Sequence, residues 1–319
     1  MEVSSHALDQ QRIESTEFIA RIFTNLTQDH LDYHPSMEAY YESKKRLFTE
    51  YSNDALSVIN IDDPYGQRLL NEISGKKVSY SCKTEADVSA VKIKAGLDSL
   101  HFTAQVFGER TEVEVPLACL HNVYNVLAAL ATAVSLGQPL KEITEKLATF
   151  PGVKGRMERV PGTGEIPIFV DYAHTPDAFL NVLKAVRALH KGKIVTVFGC
   201  GGDRDRDKRP KMGSLAARYS DRVFITCDNP RTEDPQRIID DICKGLRPHD
   251  LEKKCTVVMN RQEAIEEACR TADSDTIILI LGKGHEEYQI IGKQKKYFSD
   301  QQVVADWMIK KSALNSECR

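Results

Sequence analysis

The sequence predicts an α/β protein of two domains, the second of them a Rossmann-like, doubly wound sheet. Three observations carry this expectation. Beyond Val160, short apolar runs alternate with helical patterns, as parallel strands joined by helices do. Between Lys77 and Pro116 apolar and polar residues alternate with glycines at the turns, as in an antiparallel meander. Between the two patterns, Phe150 to Arg159 is rich in Gly and Pro. The expected domains are 1–152 and 153–319, and 319 residues give room for about two domains with ample cores.

Taken in order, Met1-Glu2-Val3-Ser4-Ser5-His6-Ala7-Leu8 reads as the end of a strand running into a polar loop. Ile19 to Thr24 is a strand, because Ile19, Ile22 and Phe23 are apolar. Met37 to Phe48 has helical spacing, with Met37, Tyr40, Tyr41 and Leu47 on one side. Leu56 to Asn60 is a strand closed by the turn Asp62-Asp63-Pro64, and Tyr65 to Ile73 is a helix. The meander strands are Val88 to Lys94, Asp98 to Val106 and Arg110 to Pro116, followed by helices Asn122 to Leu136 and Leu140 to Thr149. The second domain has strands Ile168 to Asp171, Ile194 to Phe198, Arg222 to Thr226, Thr256 to Met259 and Thr276 to Leu281. Helices Asp177 to His190, Lys211 to Arg218, Gln236 to Leu246 and Arg261 to Ala272 lie between them. A hairpin around Gly292-Lys293 and a helix Asp300 to Lys311 end the chain.

Charged residues make up 28% of the chain and the net charge is −3, so no strong basic field argues for nucleic acid. No apolar run reaches the roughly 18 residues of a membrane span, and the start lacks a basic-then-apolar leader pattern. The eight cysteines make no CxxC pair, so neither a zinc ribbon nor a thioredoxin-like site is supported. A reducing, cytoplasmic setting is expected.

Three strand ends of the second domain run into polar loops: Gly199 to Pro210, Asp228 to Pro235 and Gly282 to Glu286. In a parallel sheet these fall on one edge, where ligands bind. They offer Arg204, Asp228, Asn229, Arg231 and Glu286, cations beside carboxylates, as a zwitterionic amino acid requires. Pro230 stiffens its loop and biases Asn229 toward an extended backbone, holding Arg231 out. Alone, each loop reads as surface ion pairs of about 0–1 kcal/mol each, with a helix N-cap at Thr232 or Asp234. Three converging loops favour a site. Gly199-Cys200-Gly201-Gly202-Asp203-Arg204 is not a dinucleotide fingerprint, since Arg204 stands where its third glycine would be. No phosphate loop of the G-x-x-x-x-G-K-[ST] type occurs in the 319 residues. In the first domain Glu2 and His30 are possible magnesium ligands, although imidazole is uncommon for a hard cation, and Lys44 alone reads as an exposed helical lysine.

These strings together resemble the Mur ligases, and within them the diaminopimelate-adding type, essentially end to end. The resemblance rests on Glu2 to Leu8, Phe23-Thr24-Asn25-Leu26-Thr27-Gln28-Asp29-His30-Leu31-Asp32-Tyr33-His34 and Asn122-Val123-Tyr124-Asn125. Gly155-Arg156-Met157-Glu158, Val170 to Asp177, the two glycine-bearing loops and Asp228-Asn229-Pro230-Arg231 complete it. It implies that the first domain is an incomplete ATPase-type central domain and that the second binds an amino acid. It also implies ATP-dependent peptide-bond formation through an acyl phosphate, adding meso-diaminopimelate to UDP-N-acetylmuramoyl-L-alanyl-D-glutamate in peptidoglycan precursor synthesis.

Carried over by residue, the resemblance makes Lys44 a carbamylated lysine, with magnesium held by its carbamate, His30 and Glu2. Ser4, Gln10 and Arg12 would contact the UDP-muramoyl-dipeptide; Asn122 and Asn125 the adenine; Arg156 and Asp171 the ATP phosphates and ribose. Arg204, Asp228, Asn229, Pro230, Arg231, Gly282 and Glu286 would bind diaminopimelate, with Arg231 gripping the carboxylate that lysine lacks. A monomer is expected. Two departures stand out. The family's phosphate loop and UDP-docking domain would precede the segment matching Met1, so a C-terminal fragment with impaired activity and an open sheet edge is expected. The family usually has a glycine within Ala118-Cys119-Leu120-His121. The alternative is a non-catalytic remnant that only binds the amino acid. A folylpolyglutamate-type ligase is opposed by the Asp228 and Gly282 loops.

Overall fold

The computed structural model describes residues 1–27, 30, 33–51, 54–164 and 166–317. Gln28, Asp29, Leu31 and Asp32 of the first-domain motif, and Cys318, lie outside the described residues. The chain divides into two compact units, Met1–Pro151 and Gly152–Arg319.

In the first unit six strands form one sheet in the order β1 (Ala20–Phe23), β2 (Leu56–Asn60), β3 (Lys77–Ser81), β4 (Val88–Ala95), β5 (Leu100–Val106), β6 (Glu109–Val115). β1 to β4 run parallel and β4 to β6 antiparallel. Every residue of β2 is buried, because helices cover both faces of the parallel half. Leu56 and Val58 face α4 (His121–Ser135), through Val123, Val126 and Leu127. Ile59, one step out of phase, faces Tyr41 and Phe48 of α2 (Met37–Thr49) and Leu69 of α3 (Pro64–Glu72). Arg21 on β1 is buried, and its guanidinium donates to the carbonyls of Phe48 (3.0 Å), Tyr51 (2.6 Å) and Ala55 (3.0 Å). It thereby satisfies carbonyls at and beyond the end of α2. α5 (Leu140–Ala148) ends the unit.

Two expectations need correcting here. The first residues form no strand: Ser5–Asp9 is a short helix, α1, because the Ser4 hydroxyl accepts from the Ala7 amide and caps it. Lys77–Ser81 is a parallel strand rather than an opening to the meander, pairing with β2 from Ser57↔Lys77 to Asn60↔Tyr80.

In the second unit the sheet order is β11 (Cys255–Val257), β10 (Arg222–Ile225), β9 (Lys193–Phe198), β12 (Thr276–Leu281), β8 (Ile168–Asp171), β7 (Glu158–Arg159). All neighbours are parallel except β7 with β8. One face packs on α10 (Arg261–Thr271) and α11 (Asp300–Glu317) through Ala264, Ile265, Ala268, Val303 and Val304. α6 (Pro176–Leu189), α7 (Lys208–Tyr219) and α8 (Pro235–Cys243) are the remaining crossovers, with Phe179 of α6 against Phe198 of β9 at 5.0 Å between ring centroids. The short helix α9 (Pro248–Lys253) and the strand β7 were not expected from the sequence. A two-stranded hairpin, β13 (Tyr288–Ile291) and β14 (Gln294–Tyr297), follows β12.

Candidate functional site

The strands β10, β9 and β12 are neighbours, and each runs into a polar loop at its carboxyl end. That adjacency gathers the second-unit residues. The Asn229 amide donates to Glu286 Oε2 at 2.9 Å and its oxygen accepts from the Ile290 amide at 2.9 Å. Arg231 Nη1 donates to Gly202 O at 2.8 Å. A Cβ built on Gly201 would lie 2.9 Å from Arg231 Nη1 and 3.8 Å from Arg204 Cγ, so both arginines flank that glycine. A Cβ on Gly282 would lie 3.0 Å from Asp228 Oδ2. Asp228 and Asn229 are buried, whereas Arg204 is exposed.

The hairpin closes this arrangement. The Arg231 amide donates to Ile290 O (3.0 Å), the Gly292 amide to Arg231 O (2.7 Å), and Gln289 Nε2 to Asp228 O (2.9 Å). Arg231 is thus fixed by a strand-like bridge to Ile291 rather than by Pro230 alone. Its backbone is left-handed, at φ +51. The Tyr288 hydroxyl donates to Glu286 Oε1 at 3.3 Å. Burial, and next the Glu286 charge, raise the phenol pKa values of Tyr288 and Tyr172. Asp234 caps α8 by accepting from the Gln236 amide, while the Thr232 hydroxyl donates to Asp203.

Residues not singled out from the sequence organise the loops. Arg209, fully buried, donates to both Glu233 oxygens (2.8 and 3.0 Å), to Asp241 (3.0 Å) and to Gly201 O (3.2 Å). Glu233 also accepts from the Asp203 amide at 2.6 Å, and the Arg209 guanidinium holds its carboxyl below the usual value. Lys283, also fully buried, sits among Asp228, Asn229 and Glu286. Neither burial is signalled in the local sequence: a glycine separates Lys283 from the apolar run of β12, and Arg209 stands in a run of charged residues. Asp171 is buried, and its two oxygens accept from the Met157 and Ala173 amides at 2.6 and 2.7 Å. It holds the 155–157 turn, and Arg156 lies over the Tyr172 ring at 4.8 Å.

In the first unit, α1, the His30, Tyr33 and His34 side chains and α2 converge. The His6 ring lies 4.8 Å from that of His30, and His34 stacks on Tyr40 at 5.2 Å. Lys44 Nζ donates to Val3 O at 3.0 Å and lies 5.9 Å from the Tyr40 centroid. Burial lowers the His34 pKa, opposed by Asp9 and assisted by His6, His30 and Lys44. Lys44 and His30 therefore share a neighbourhood, while Glu2 is exposed. Among the described residues no group of three or more His, Cys, Asp and Glu side chains is disposed to hold a metal. Unmodified, Lys44 brings positive charge to a place already holding three imidazoles, which does not fit magnesium; a carbamate there would supply oxygen ligands. Ser4 caps α1, and Gln10 and Arg12 pair with each other at its end. Asn122 donates to Ala118 O (2.7 Å) and Asn125 to Asn122 Oδ1 (2.9 Å) on the first turns of α4. Cys119 adopts φ +70, the left-handed backbone that favours glycine.

Two family models match the chain, the Mur ligase middle domain over residues 1–133 and the Mur ligase glutamate ligase domain over residues 155–284. The chain belongs to the Mur ligase family. Among its Mur ligase relatives is a UDP-N-acetylmuramoyl-L-alanyl-D-glutamate–2,6-diaminopimelate ligase of Clostridioides difficile, 44% identical over 97% of this chain and 64% of its own length. The enzyme of that name from Thermosynechococcus vestitus is 45% identical over 95% of this chain and 61% of its own. A solved structure of a ligase with the same name superposes with a TM-score of 0.66 at 35% identity, covering 98% of this chain and 64% of that one. The chain thus spans under two thirds of these relatives. Among the described residues no helix is long and apolar enough to cross a membrane.

Proposed function

We propose that the second unit holds 2,6-diaminopimelate as the acceptor in an ATP-dependent ligase reaction with UDP-N-acetylmuramoyl-L-alanyl-D-glutamate. What carries the reading is the grouping of the Arg231 guanidinium with Asp228, Asn229 and Glu286 at three adjacent strand ends. An acceptor with two carboxylates and two ammonium groups matches cations and anions set side by side, and a planar guanidinium suits the carboxylate that lysine lacks. The names of the relatives support the same acceptor.

In the reaction proposed, the glutamate side-chain carboxylate takes a phosphoryl group from ATP, releasing ADP. The acceptor amine attacks the acyl carbon, the C–N bond forms as the C–O bond to phosphate breaks, and the amine loses a proton. The task of Asp228, Asn229, Arg231 and Glu286 is to hold the acceptor in one orientation so that its amine meets the acyl carbon. Arg204 flanks the same pocket from its rim. Asn122 and Asn125 toward adenine, Arg156 toward phosphate, and Ser4, Gln10 and Arg12 toward the nucleotide-linked peptide belong to the same reading. Asp171 serves it indirectly, through the turn it holds. Bound magnesium would neutralise phosphate charge, and Glu2, His30 and Lys44 would hold it once Lys44 is a carbamate. Isotope-labelled bicarbonate should then give a carbamate resonance that Lys44→Met abolishes; a chain that takes up no label would rule this out.

The 319 residues contain no phosphate-loop spacing, so binding is the measurement that tests the acceptor reading. Calorimetry should show meso-diaminopimelate binding more tightly than lysine, with Arg231→Ala losing about 30-fold in diaminopimelate affinity and little for lysine. Equal affinity for the two amino acids in the unsubstituted chain would refute it.

A further inference from the structure

Lysine is almost never fully buried unless it is paired, and Lys283 is fully buried. Its Nζ lies 3.3 Å from Asn229 Oδ1, 3.3 Å from Glu286 Oε2 and 4.0 Å from Asp228 Oδ1, and 5.6 Å from the Tyr288 ring centroid. The carboxylates suited to an acceptor's ammonium groups therefore already face one inside the protein. The same contact sets the Asn229 amide: its oxygen takes Lys283 and the Ile290 amide, which leaves its nitrogen for Glu286.

We propose that Lys283 is a specificity-determining residue, whose fixed cation balances the pocket's charge and excludes amino acids that carry net positive charge. The inference rests on the acceptor reading above. Asp228 and Glu286 supply two negative charges, and Arg231 and Lys283 supply two positive ones; Arg204 is exposed and screened by solvent. The pocket so composed has no net charge, like diaminopimelate, with its two ammonium groups and two carboxylates. Lysine carries one net positive charge. Without Lys283 the carboxylates would outnumber Arg231, and a cationic acceptor would gain. Arg231 and Lys283 thus act differently: one attracts the second carboxylate, the other repels an unbalanced ammonium.

The test is calorimetry on the 319-residue chain and on Lys283→Met, each with meso-diaminopimelate and with lysine. The ratio of the lysine Kd to the diaminopimelate Kd should fall by about tenfold or more in the variant. A purely structural lysine would weaken both ligands together, so an unchanged ratio overturns the inference while leaving the acceptor reading standing. Failure of the unsubstituted chain to bind diaminopimelate overturns the acceptor reading and this inference with it. Should Lys283→Met not fold, competition against diaminopimelate in the unsubstituted chain replaces it. Lysine should then compete no better than norleucine, which has the same carbon chain without the second ammonium. Lysine competing about tenfold better would overturn the proposal.

Discussion

Gly201 and Gly202 are neighbours with different work. A Cβ on Gly202 would lie 1.9 Å from Pro230 O, a backbone atom held by the Glu233 amide at 3.1 Å. A Cβ on Gly201 would meet the far end of the Arg231 side chain, its Nη1, at 2.9 Å. Gly202→Ala should therefore force the two loops apart and cost about 1–3 kcal/mol in urea unfolding. Gly201→Ala should leave the unfolding free energy in urea within about 0.5 kcal/mol of the parent and weaken diaminopimelate binding by displacing the guanidinium. The reverse pattern would show that the glycines do not divide the task this way. Asp171 illustrates how far a motif string informs at this scale. It matches the family's string, yet its two oxygens are turned to the Met157 and Ala173 amides, a use that only the folded turn reveals.

Between α2 and α3 a cluster of charges links two helices on one face of the first sheet. Glu72 accepts from Arg68 Nε (2.6 Å), Lys45 Nζ (3.0 Å) and the Tyr41 hydroxyl (2.9 Å). Its carboxyl is pulled from 4.5 down to about 2, by Arg68 first and then Lys45 and Tyr41. A carboxyl with a depressed folded pKa stabilises fully above its unfolded value. That contribution is lost as protons bind between pH 4.5 and about 2. The acid limb of a stability profile should thus be shallower in Glu72→Gln across that window, while parent and variant run parallel above it. Solvent and salt screen the cluster, so the effect should shrink in high salt. In the second unit the corresponding tie is buried. Arg261 at the start of α10 donates to both oxygens of Asp300 at the start of α11 (2.8 and 2.7 Å) and to Leu281 O (3.2 Å). It fixes the end of β12, one residue before the glycine that adjoins Asp228.

At the scale of the chain, each unit has cores of its own, one around β2 to β6 and α4, another around β8 to β12 with α10 and α11. The alternation of strand and helix, the antiparallel meander and the strand ends bearing polar loops were all legible in the sequence. Burial along a covered strand is a local property: β2 and β12 are buried at every step, because both their faces are covered. The motif strings were likewise enough to indicate the family. Only the tertiary structure decided that Ser5–Asp9 makes a helix capped by Ser4, and which polar side chains would be enclosed. Arg209 meets Glu233 across 24 positions and Lys283 meets Asn229 across 54. A charge is admitted to the interior by partners that arrive from elsewhere in the chain, and no local pattern encodes their arrival.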